Sequence, residues 1–221
     1  MNTKINILFE DTHIIVCEKA HGVATQSRKI GTPDMVSILK NHIRQTAGTV
    51  DPYLAVIHRL DQPVRGILVF AKTPFAAKAL NQQLTTGGFG KHYRALVSIC
   101  PNKTQDVLEN YLVKDGRTNL SRVCTSNTPD AKLARLSYTV VTEEPKLFTP
   151  GSESEAELDI LLDTGRHHQI RVQLANLGCP IVGDAKYNPT TDRSRRNICL
   201  CAYRLEFIHP KTKKRMEFSL L

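Results

Sequence analysis

Two segments of this sequence place charged side chains beside apolar runs, a pattern that can support acid–base or nucleophilic chemistry. The first is HRLD at His58–Asp61, which is followed by the apolar run Gly66–Ala71. The second is GRHHQIR at Gly165–Arg171, which runs on to LGCPIVGD at Leu177–Asp184. A carboxylate in the first segment can act as a nucleophile or assist proton removal if it stays ionised. A guanidinium in the second can hold such a carboxylate with two hydrogen bonds and favour its charged form.

The second segment is predicted to form a helix. His168 and Arg171 are three residues apart, so on a helix they would share one face. Ile170, Leu174 and Leu177 recur at the spacing that anchors another face in the core. We therefore expect a helix that holds polar side chains toward a site and apolar side chains toward the interior.

Other kinds of site fit the sequence less well. GGFGK at Gly87–Lys91 has Thr85 where a P-loop needs glycine and His92 where it needs Ser or Thr, so it does not match that motif. A mobile basic loop that contacts phosphates is a weaker alternative. His167 and His168 are adjacent, and adjacent side chains on a helix point about 100° apart, so we do not expect them to share a metal ion. From the ligand spacing we expect no metal site.

The composition limits the class of protein. The 221 residues, 41% of them hydrophobic, are enough for one packed domain or for one domain with two lobes. The formal net charge of +9 favours a polyanionic partner, nucleic acid before a membrane surface, although a basic protein without such a partner has the same charge. The sequence has no apolar run of about 18 residues, so we expect a cytoplasmic protein. Its six cysteines form no C-x-x-C pair and are expected to be free buried thiols and not disulfides or a zinc site.

Local signals predict the elements that would position the charged segments. Leu54–Ile57 and Gly66–Ala71 are rich in β-branched and aliphatic residues and are predicted to be buried strands on either side of HRLD. Thr32–Asp34 predicts a helix with Thr as N-cap and Pro at its first position, and apolar residues recur every fourth position from Met35. Thr73–Pro74 starts a second helix, which is expected to end at the Gly-Gly pair after Thr86.

The remaining pattern is dominated by strands. They are predicted at Ile5–Phe9, His13–Cys17, His92–Ile99, Leu133–Val141, Ala156–Leu162, Ile198–Phe207 and Lys214–Leu220. Strand runs without regular helical crossovers indicate an α+β fold with a mainly antiparallel sheet. Loops are expected at Thr125–Asp130 and Lys146–Ser154. The stretch Arg193–Arg215 holds eight Lys or Arg and one acidic residue, so it is either a surface that tracks phosphates or a solvated strand pair with basic edges.

Taken together, these motifs resemble the RluA-type pseudouridine synthases. That family has an H-R-L-D loop before an apolar strand and a G-R-x-H-Q-I-R segment followed by L-G-x-P-I-x-G-D. The strand KHYRALV at Lys91–Val97 is similar to the family's K-x-Y-x-A-x-V, and VCEK at Val16–Lys19 is similar to its opening strand. The resemblance implies the pseudouridine synthase fold, a mixed and mainly antiparallel sheet with flanking helices and a central cleft, as a single catalytic domain over residues 1–221.

The resemblance also implies a reaction and its residues. The substrate would be uridine in structured ribosomal or transfer RNA, isomerised to pseudouridine without a cofactor. Asp61 would be the catalytic residue, Arg171 its ion-pair partner, and Tyr93 the ring that stacks on the target base and could also move a proton. Arg59 would help to displace or replace that base. The other residues expected to contact RNA are His58, Arg65, Lys91, Arg166, His168 and Gln169.

The sequence departs from the family pattern in the loop after the aspartate. The family usually has T-S-G there, whereas this sequence has Val64, Arg65 and Gly66, and the added charge is expected to affect contacts with the RNA target more than the reaction. No S4-type RNA-binding domain is expected, because the strand pattern begins at residue 5, and no obligate protein partner is expected. The main alternative is a non-catalytic RNA-binding protein that kept the fold. A hydrolase acting on nucleosides or RNA fits less well.

Overall fold

The computed structural model describes residues 5–27, 31–189 and 197–221. This part of the chain folds into two compact units. The first contains the described residues of Met1–Gly90 and Ala202–Leu220, and the second contains those of Lys91–Cys201. That residues 1–221 form a single catalytic domain with a central cleft stays a prediction.

The described residues form three helices and eleven strands, which confirms the α+β class. In chain order these are β1 (Asn6–Glu10), β2 (Ile14–Lys19), α1 (Met35–Ala47), β3 (Ala55–Val56), β4 (Arg65–Ala71), α2 (Pro74–Thr85), β5 (Gly90–Val97), β6 (Gln105–Asp115), β7 (Leu120–Cys124), β8 (Lys132–Val140), β9 (Ala156–Leu162), α3 (Gln169–Asn176), β10 (Leu200–Ile208) and β11 (Arg215–Ser219). Every strand predicted from the sequence is present, with ends that differ by a few residues.

In the first unit, the strands run in the order β1-β2-β4-β10, with β3 beside β4 and β11 beside β10. The pairs β1–β2, β2–β4, β3–β4 and β10–β11 are antiparallel. The core cluster includes Ile67 and Val69 from β4, Leu80 from α2, and Leu205 and Phe207 from β10. Burial of one face of α2 against these strands fixes β4, and β4 in turn fixes one end of the HRLD loop.

In the second unit, the strands run in the order β5-β9-β8-β6-β7, and each neighbouring pair is antiparallel. A smaller core joins Leu112 of β6, Ala134 of β8 and Val172 of α3, with Val123 and Tyr187 packed against it. Helix α3, which carries Arg171, is therefore anchored to this sheet by its apolar side chains.

The start of α1 differs from the prediction. Met35, Leu39 and Ile43 are buried as expected, but the N-cap is Asp34 and not Thr32. The Asp34 carboxylate accepts a hydrogen bond from N of Ser37 at 2.7 Å, and the Ser37 hydroxyl accepts one from N of Asp34 at 3.0 Å. This reciprocal capping box satisfies two backbone donors, so it outweighs the signal from Thr-Pro. The prediction for α2 is confirmed, with Thr73 as N-cap and Pro74 at the first position.

The hairpin of β6 and β7 was not predicted. Strand β6 pairs with β8 from Gln105↔Thr139 to Leu112↔Lys132 and with β7 from Tyr111↔Cys124 to Asp115↔Leu120. Its sequence is rich in charged and amide side chains, and only Leu112 is buried. Partner strands on both sides therefore impose a conformation that the local sequence does not favour.

The two expected loops are confirmed, since residues 125–131 and 141–155 contain no helix or strand. All six cysteines are free, but only Cys17, Cys179 and Cys201 are buried. The expectation of buried thiols is wrong for Cys100, which is exposed, and for Cys124 and Cys199, which are partly exposed. Burial raises the pKa of the Cys17 thiol to about 12, with the negative charge of Glu18 adding to the effect.

The basic C-terminal stretch is only partly described, since residues 193–196 lie outside the described ranges. Lys213, Lys214 and Arg215 are exposed where β10 turns into β11. The Arg215 guanidinium pairs with the Glu206 carboxylate at 2.5 Å, so part of the local charge is compensated. Both interpretations of this stretch remain open.

Candidate active site

The HRLD segment forms the loop between β3 and β4 in the first unit, and its backbone is fixed at Leu60. The Thr25 hydroxyl donates a hydrogen bond to the carbonyl of Leu60 at 3.0 Å and accepts one from N of Leu60 at 3.2 Å. The carbonyl of Asp61 accepts a hydrogen bond from N of Val64 at 2.9 Å and closes a turn. Asp61 itself is partly exposed, so its backbone is held while its carboxylate can be reached.

Lys19 supports the same loop from the end of β2. Its side chain is fully buried, and its ammonium donates to the carbonyls of Ala20 at 3.1 Å, Val23 at 2.7 Å and Gln62 at 3.0 Å. Burial lowers the pKa of Lys19 to about 8, and the negative charge of Asp61 acts in the opposite direction. The residues immediately before and after Asp61 are thus held by hydrogen bonds to Thr25 and Lys19, two residues that were not predicted for the site.

The remaining members of HRLD have different surroundings. The Nε2 atom of His58 accepts a hydrogen bond from N of Val69 at 3.3 Å, and its ring packs edge-on against Phe89 with centroids 5.9 Å apart. Arg59 is exposed and forms no hydrogen bond or ion pair with the residues that the structure describes. His58 therefore has a structural contact, while Arg59 is available to a ligand.

Arg65, which replaces a residue usual in the family, forms an ion pair. Its Nε lies 2.6 Å from a carboxylate oxygen of Glu18 on the neighbouring strand β2. Its side chain remains 38% exposed. The extra positive charge expected from the sequence is thus partly neutralised by Glu18.

The GRHHQIR segment begins as a turn and becomes helical only at Gln169, which corrects the prediction that the segment is a helix throughout. His168 has the left-handed backbone conformation (φ 55°, ψ 24°) and occupies the N-cap of α3. The buried Gln169 side chain organises the turn: its Oε1 accepts from the Thr164 hydroxyl at 2.7 Å and from N of Arg166 at 3.0 Å, and its Nε2 donates to the carbonyl of Arg135 at 3.1 Å. A contact of Gln169 with RNA remains a prediction.

Helix α3 buries Arg171 and pairs it with Asp184. The Nε and Nη2 atoms of Arg171 donate to the two carboxylate oxygens of Asp184 at 2.8 and 2.7 Å. The guanidinium carbon also lies 5.2 Å from the ring centroid of Tyr187, and the Tyr187 hydroxyl is 2.8 Å from Nδ1 of His168. Arg171 and His168 therefore converge on Tyr187, although His168 precedes the helix. The prediction that Leu177 is buried with Ile170 and Leu174 is wrong, since Leu177 is 37% exposed at the helix end.

The adjacent histidines do not point apart as a helix would require. The rings of His167 and His168 are stacked, with centroids 3.8 Å apart, because His168 is left-handed. The Nδ1 atom of His167 lies 2.9 Å from the Ser121 hydroxyl. The geometric reason given for excluding a shared ion was therefore wrong. Among the described residues, no group of three or more His, Cys, Asp or Glu has the arrangement of a metal site.

Strand β5 carries the remaining predicted residues of the second unit. Tyr93 pairs across the strands with Ile160 and is 7% exposed. Lys91 is 9% exposed and lies in the strand, while Phe89 is buried and stacked on Phe207 with centroids 5.6 Å apart. Phe89 and Lys91 therefore do not belong to a mobile loop as predicted, while a phosphate contact of Lys91 stays a prediction. Arg166 is exposed, and its Nε donates to the carbonyl of Leu133 at 2.9 Å.

The predicted site residues are divided between the units. Asp61, His58, Arg59 and Arg65 belong to the first unit, and the others predicted for the site, Tyr93, Lys91, Arg166, His168, Gln169 and Arg171, belong to the second. The ion pair of Asp61 with Arg171 stays a prediction. Asp184 and Tyr187 were missed as supporting residues. The only sequence signal for Asp184 was its place at the end of LGCPIVGD, and Tyr187 had none.

Comparison with known proteins follows the same motifs. Residues 13–176 match the family described as RNA pseudouridylate synthase. A protein of Helicobacter pylori (strain J99) named "Uncharacterized RNA pseudouridine synthase" is 29% identical over 228 residues, covering 100% of this chain and 67% of that protein. The "Ribosomal large subunit pseudouridine synthase D" of Nitrosomonas europaea is 34% identical over 220 residues, covering 93% of this chain and 58% of its own length. The chain thus spans about two thirds or less of these relatives.

Solved structures share the fold. "Human RNA Pseudouridylate Synthase Domain Containing 4" superposes with a TM-score of 0.77 at 21% identity, over 98% of this chain and 88% of that one. "Human RNA Pseudouridylate Synthase Domain Containing 1" also gives 0.77, at 20% identity, over 100% of this chain and 84% of that one. The fold is therefore that of pseudouridylate synthase domains. In the described part of the chain, no helix is long and apolar enough to cross a membrane.

Proposed function

This chain belongs to the RNA pseudouridylate synthase family, whose members are isomerases that act on RNA, and we propose that it converts uridine to pseudouridine with Asp61 as its catalytic residue. The substrate that we propose is a uridine in structured ribosomal or transfer RNA. Three of its relatives are named for the large ribosomal subunit, which supports ribosomal RNA as the first class to test.

The observation that carries the proposal is the position of three residues within the matched segment. Residues 13–176 contain Asp61, Tyr93 and Arg171. The backbone beside Asp61 is held by Thr25 and Lys19 while its side chain stays partly exposed. RNA phosphates repel a carboxylate, so RNA binding alone gives no reason to hold one in a fixed loop. A catalytic carboxylate needs such a loop, because its position must be preorganised.

The proposed reaction rearranges bonds within one nucleotide. The bond between N1 of uracil and C1′ of ribose breaks, the base turns, and C5 bonds to the same C1′. C5 then loses its hydrogen as a proton, and N1 gains a proton. Atoms and electrons balance without an oxidant, reductant or second substrate. Asp61 would act as a nucleophile at the sugar or the base, or would assist proton removal from the sugar. The target base must first leave its stack to be reached.

Tyr93 and Arg171 have separate proposed roles. Tyr93 would stack on the displaced uracil, and its phenol could take part in proton transfer. Arg171 would form an ion pair with Asp61 and keep its carboxylate charged away from water. The two hydrogen bonds that it makes to Asp184 engage Nε and Nη2, so the orientation of the guanidinium is set by the second unit itself.

The proposed RNA contacts come from exposed cations around these residues. Arg59 and Arg166 are exposed and would contact the RNA directly, Arg59 by displacing or replacing the target base. His58, Arg65 and His168 would contribute from partly or fully buried positions. We also propose that the protein works in the cytoplasm and needs no obligate protein partner.

Two measurements test this function. Pseudouridines should be mapped across the transcriptome in cells with and without the gene, and purified protein should release tritium from [5-³H]uridine in the RNA that loses a site. Loss of at least one pseudouridine, restored by the wild type and not by Asp61→Asn, supports the proposal. An unchanged map together with RNA binding by the purified protein would favour a non-catalytic RNA-binding protein.

A further inference from the structure

The side chain of Lys91 is largely buried, and its ammonium has no hydrogen-bond or ion-pair partner among the described residues. Lys91 is only 9% exposed in β5, and its Nζ atom forms no hydrogen bond or ion pair with any residue in the ranges that the structure describes. The other buried lysine, Lys19, donates to three carbonyl oxygens. Partial burial disfavours the charged form of Lys91. Because its Nζ is not among the fully buried polar atoms that lack a hydrogen bond, a negatively charged ligand can reach the ammonium and offset that penalty.

The surroundings of the Lys91 ammonium suit an anion. A β-carbon at Gly165 would lie 3.9 Å from Nζ of Lys91, so the missing side chain leaves room beside the ammonium. Asp163, the nearby acid, has its carboxylate 3.2 Å from Nε of Arg135. Burial lowers the pKa of Lys91, Asp163 raises it, and the positive charge of Arg166 lowers it. Arg166 therefore adds a second positive charge to the same place.

The position of Lys91 relative to Tyr93 indicates which anion. Alternate residues of a strand point to the same face, and two residues span roughly 7 Å. Lys91 and Tyr93 are two apart in β5, so both face one side of the sheet. That separation is comparable to the distance between a base and the phosphate of the same nucleotide. A uracil stacked on Tyr93 can therefore present its own phosphate to Lys91.

We infer that Lys91, with Gly165 and Arg166, binds the phosphate of the nucleotide whose base stacks on Tyr93. This inference rests on the proposed function, because that function places the base on Tyr93. Lysine acts at such a site as a compact point charge that can meet a phosphate oxygen from several directions. Binding energy taken from the phosphate would help to hold the displaced nucleotide in a reactive position.

The experiment uses small ligands, so it does not depend on knowing the RNA target. Uridine, uridine 5′-monophosphate, uridine 3′-monophosphate and inorganic phosphate are titrated into the full chain, with affinity and the Nζ resonance of Lys91 followed by NMR. Three variants are compared: Lys91→Met, Lys91→Arg, and Lys103→Met as a control. Lys103 is an exposed lysine with a carboxylate partner, since its Nζ lies 2.8 Å from Asp106.

The expected result is that at least one uridine monophosphate binds the wild type about tenfold more tightly than uridine does, a difference of about 1.4 kcal/mol. The same nucleotide should move the Lys91 resonance. Lys91→Met should lose this preference with an unchanged affinity for uridine, whereas Lys91→Arg should keep part of it and Lys103→Met all of it.

Three results would overturn the inference. The first is that no phosphate ligand shifts the Lys91 resonance. The second is that Lys91→Met still binds a uridine monophosphate more tightly than uridine. The third is that inorganic phosphate and both monophosphates give equal responses, which would indicate a general anion site. The wild-type resonance gives the answer even if Lys91→Met fails to fold. Tritium release tests the proposed function separately. A protein without isomerase activity can still bind a nucleotide through Lys91, and a protein with that activity can bind its substrate without Lys91.

Discussion

Asp184 holds the guanidinium of Arg171 through two hydrogen bonds in the interior of the second unit. The bonds measure 2.8 and 2.7 Å. The side chain of Asp184 is 0% exposed and that of Arg171 is 4% exposed. The same carboxylate accepts a hydrogen bond from N of Lys186 at 3.0 Å. Because Asp184 is fixed by backbone as well as by side chain, it can set the orientation of Arg171.

Replacement of Asp184 by Asn should destabilise the protein. The change keeps the shape but removes the charge of the buried carboxylate that holds Arg171, and breaking such a buried pair typically costs about 3–5 kcal/mol. Denaturant unfolding measures the loss, with Asp163→Asn as control because the Asp163–Arg135 pair is about half exposed and worth at most about 1 kcal/mol. Equal stabilities of the two variants would show that the buried pair does not matter.

Arg171→Met should lower the rate at saturating RNA near neutral pH and move the pH–rate profile of tritium release to higher pH. The physical reason is that the proposed ion pair keeps the catalytic carboxylate charged. RNA affinity is measured alongside by titration. If the variant only weakens binding and leaves the saturated rate and its pH profile unchanged, Arg171 is a phosphate contact.

Lys19 should make the unfolding free energy depend on pH. Its pKa is about 8 in the folded chain against an ordinary value of 10.5, so between these values only the unfolded state carries the proton. Raising the pH therefore favours the folded state. From about pH 7 to about pH 9.5, the wild type should gain about 2 kcal/mol relative to Lys19→Met.

Denaturant unfolding at both pH values measures that gain, and the exposed Lys132→Met serves as a control with no expected pH effect. If the difference in unfolding free energy between wild type and Lys19→Met is the same at both pH values, the three carbonyl oxygens keep Lys19 charged in the folded chain. Because Lys19 contacts only backbone around the loop, its replacement is expected to affect stability more than the rate.

Gly66→Ala should destabilise the start of β4. Gly66 has φ +146°, and a β-carbon there would lie 2.4 Å from the carbonyl oxygen of Ala202 in β10. Both the strained backbone and the clash oppose any side chain, so we expect a loss of more than about 3 kcal/mol. Thermal unfolding checks this against Gly116→Ala, where a β-carbon meets open space. A loss of unfolding free energy below about 1 kcal/mol would show that β4 and β10 can move apart at little cost in free energy.

The elements fixed by local signals were predictable from the sequence. Thr73 and Pro74 start α2 as expected, and the four-residue spacing from Met35 identified the buried face of α1. The HRLD and GRHHQIR segments lie within the residues that match the family, while the roles assigned to their side chains stay predictions.

The parts that were missed depend on contacts between distant residues or on unusual backbone. The hairpin of β6 and β7 is made by pairing with β8, not by its own polar sequence. His168 has φ 55°, which few residues other than glycine adopt, so the helix start could not be read from spacing. Arg171 and Asp184 are separated by 13 residues, and no periodicity links them. Lys19 lies in a strand, and nothing local shows that it turns into the interior.

The central claim is that Asp61 performs the isomerisation, and Asp61→Asn tests it most directly. The substitution removes the charge and nearly preserves the shape of the side chain. The protein should therefore keep its fold, and its affinity for RNA should stay within a few-fold of the wild-type value. Tritium release from [5-³H]uridine RNA, at a saturating concentration of an RNA that the wild type modifies, should fall to background. Release above a tenth of the wild-type rate by a folded Asp61→Asn protein would contradict the assignment.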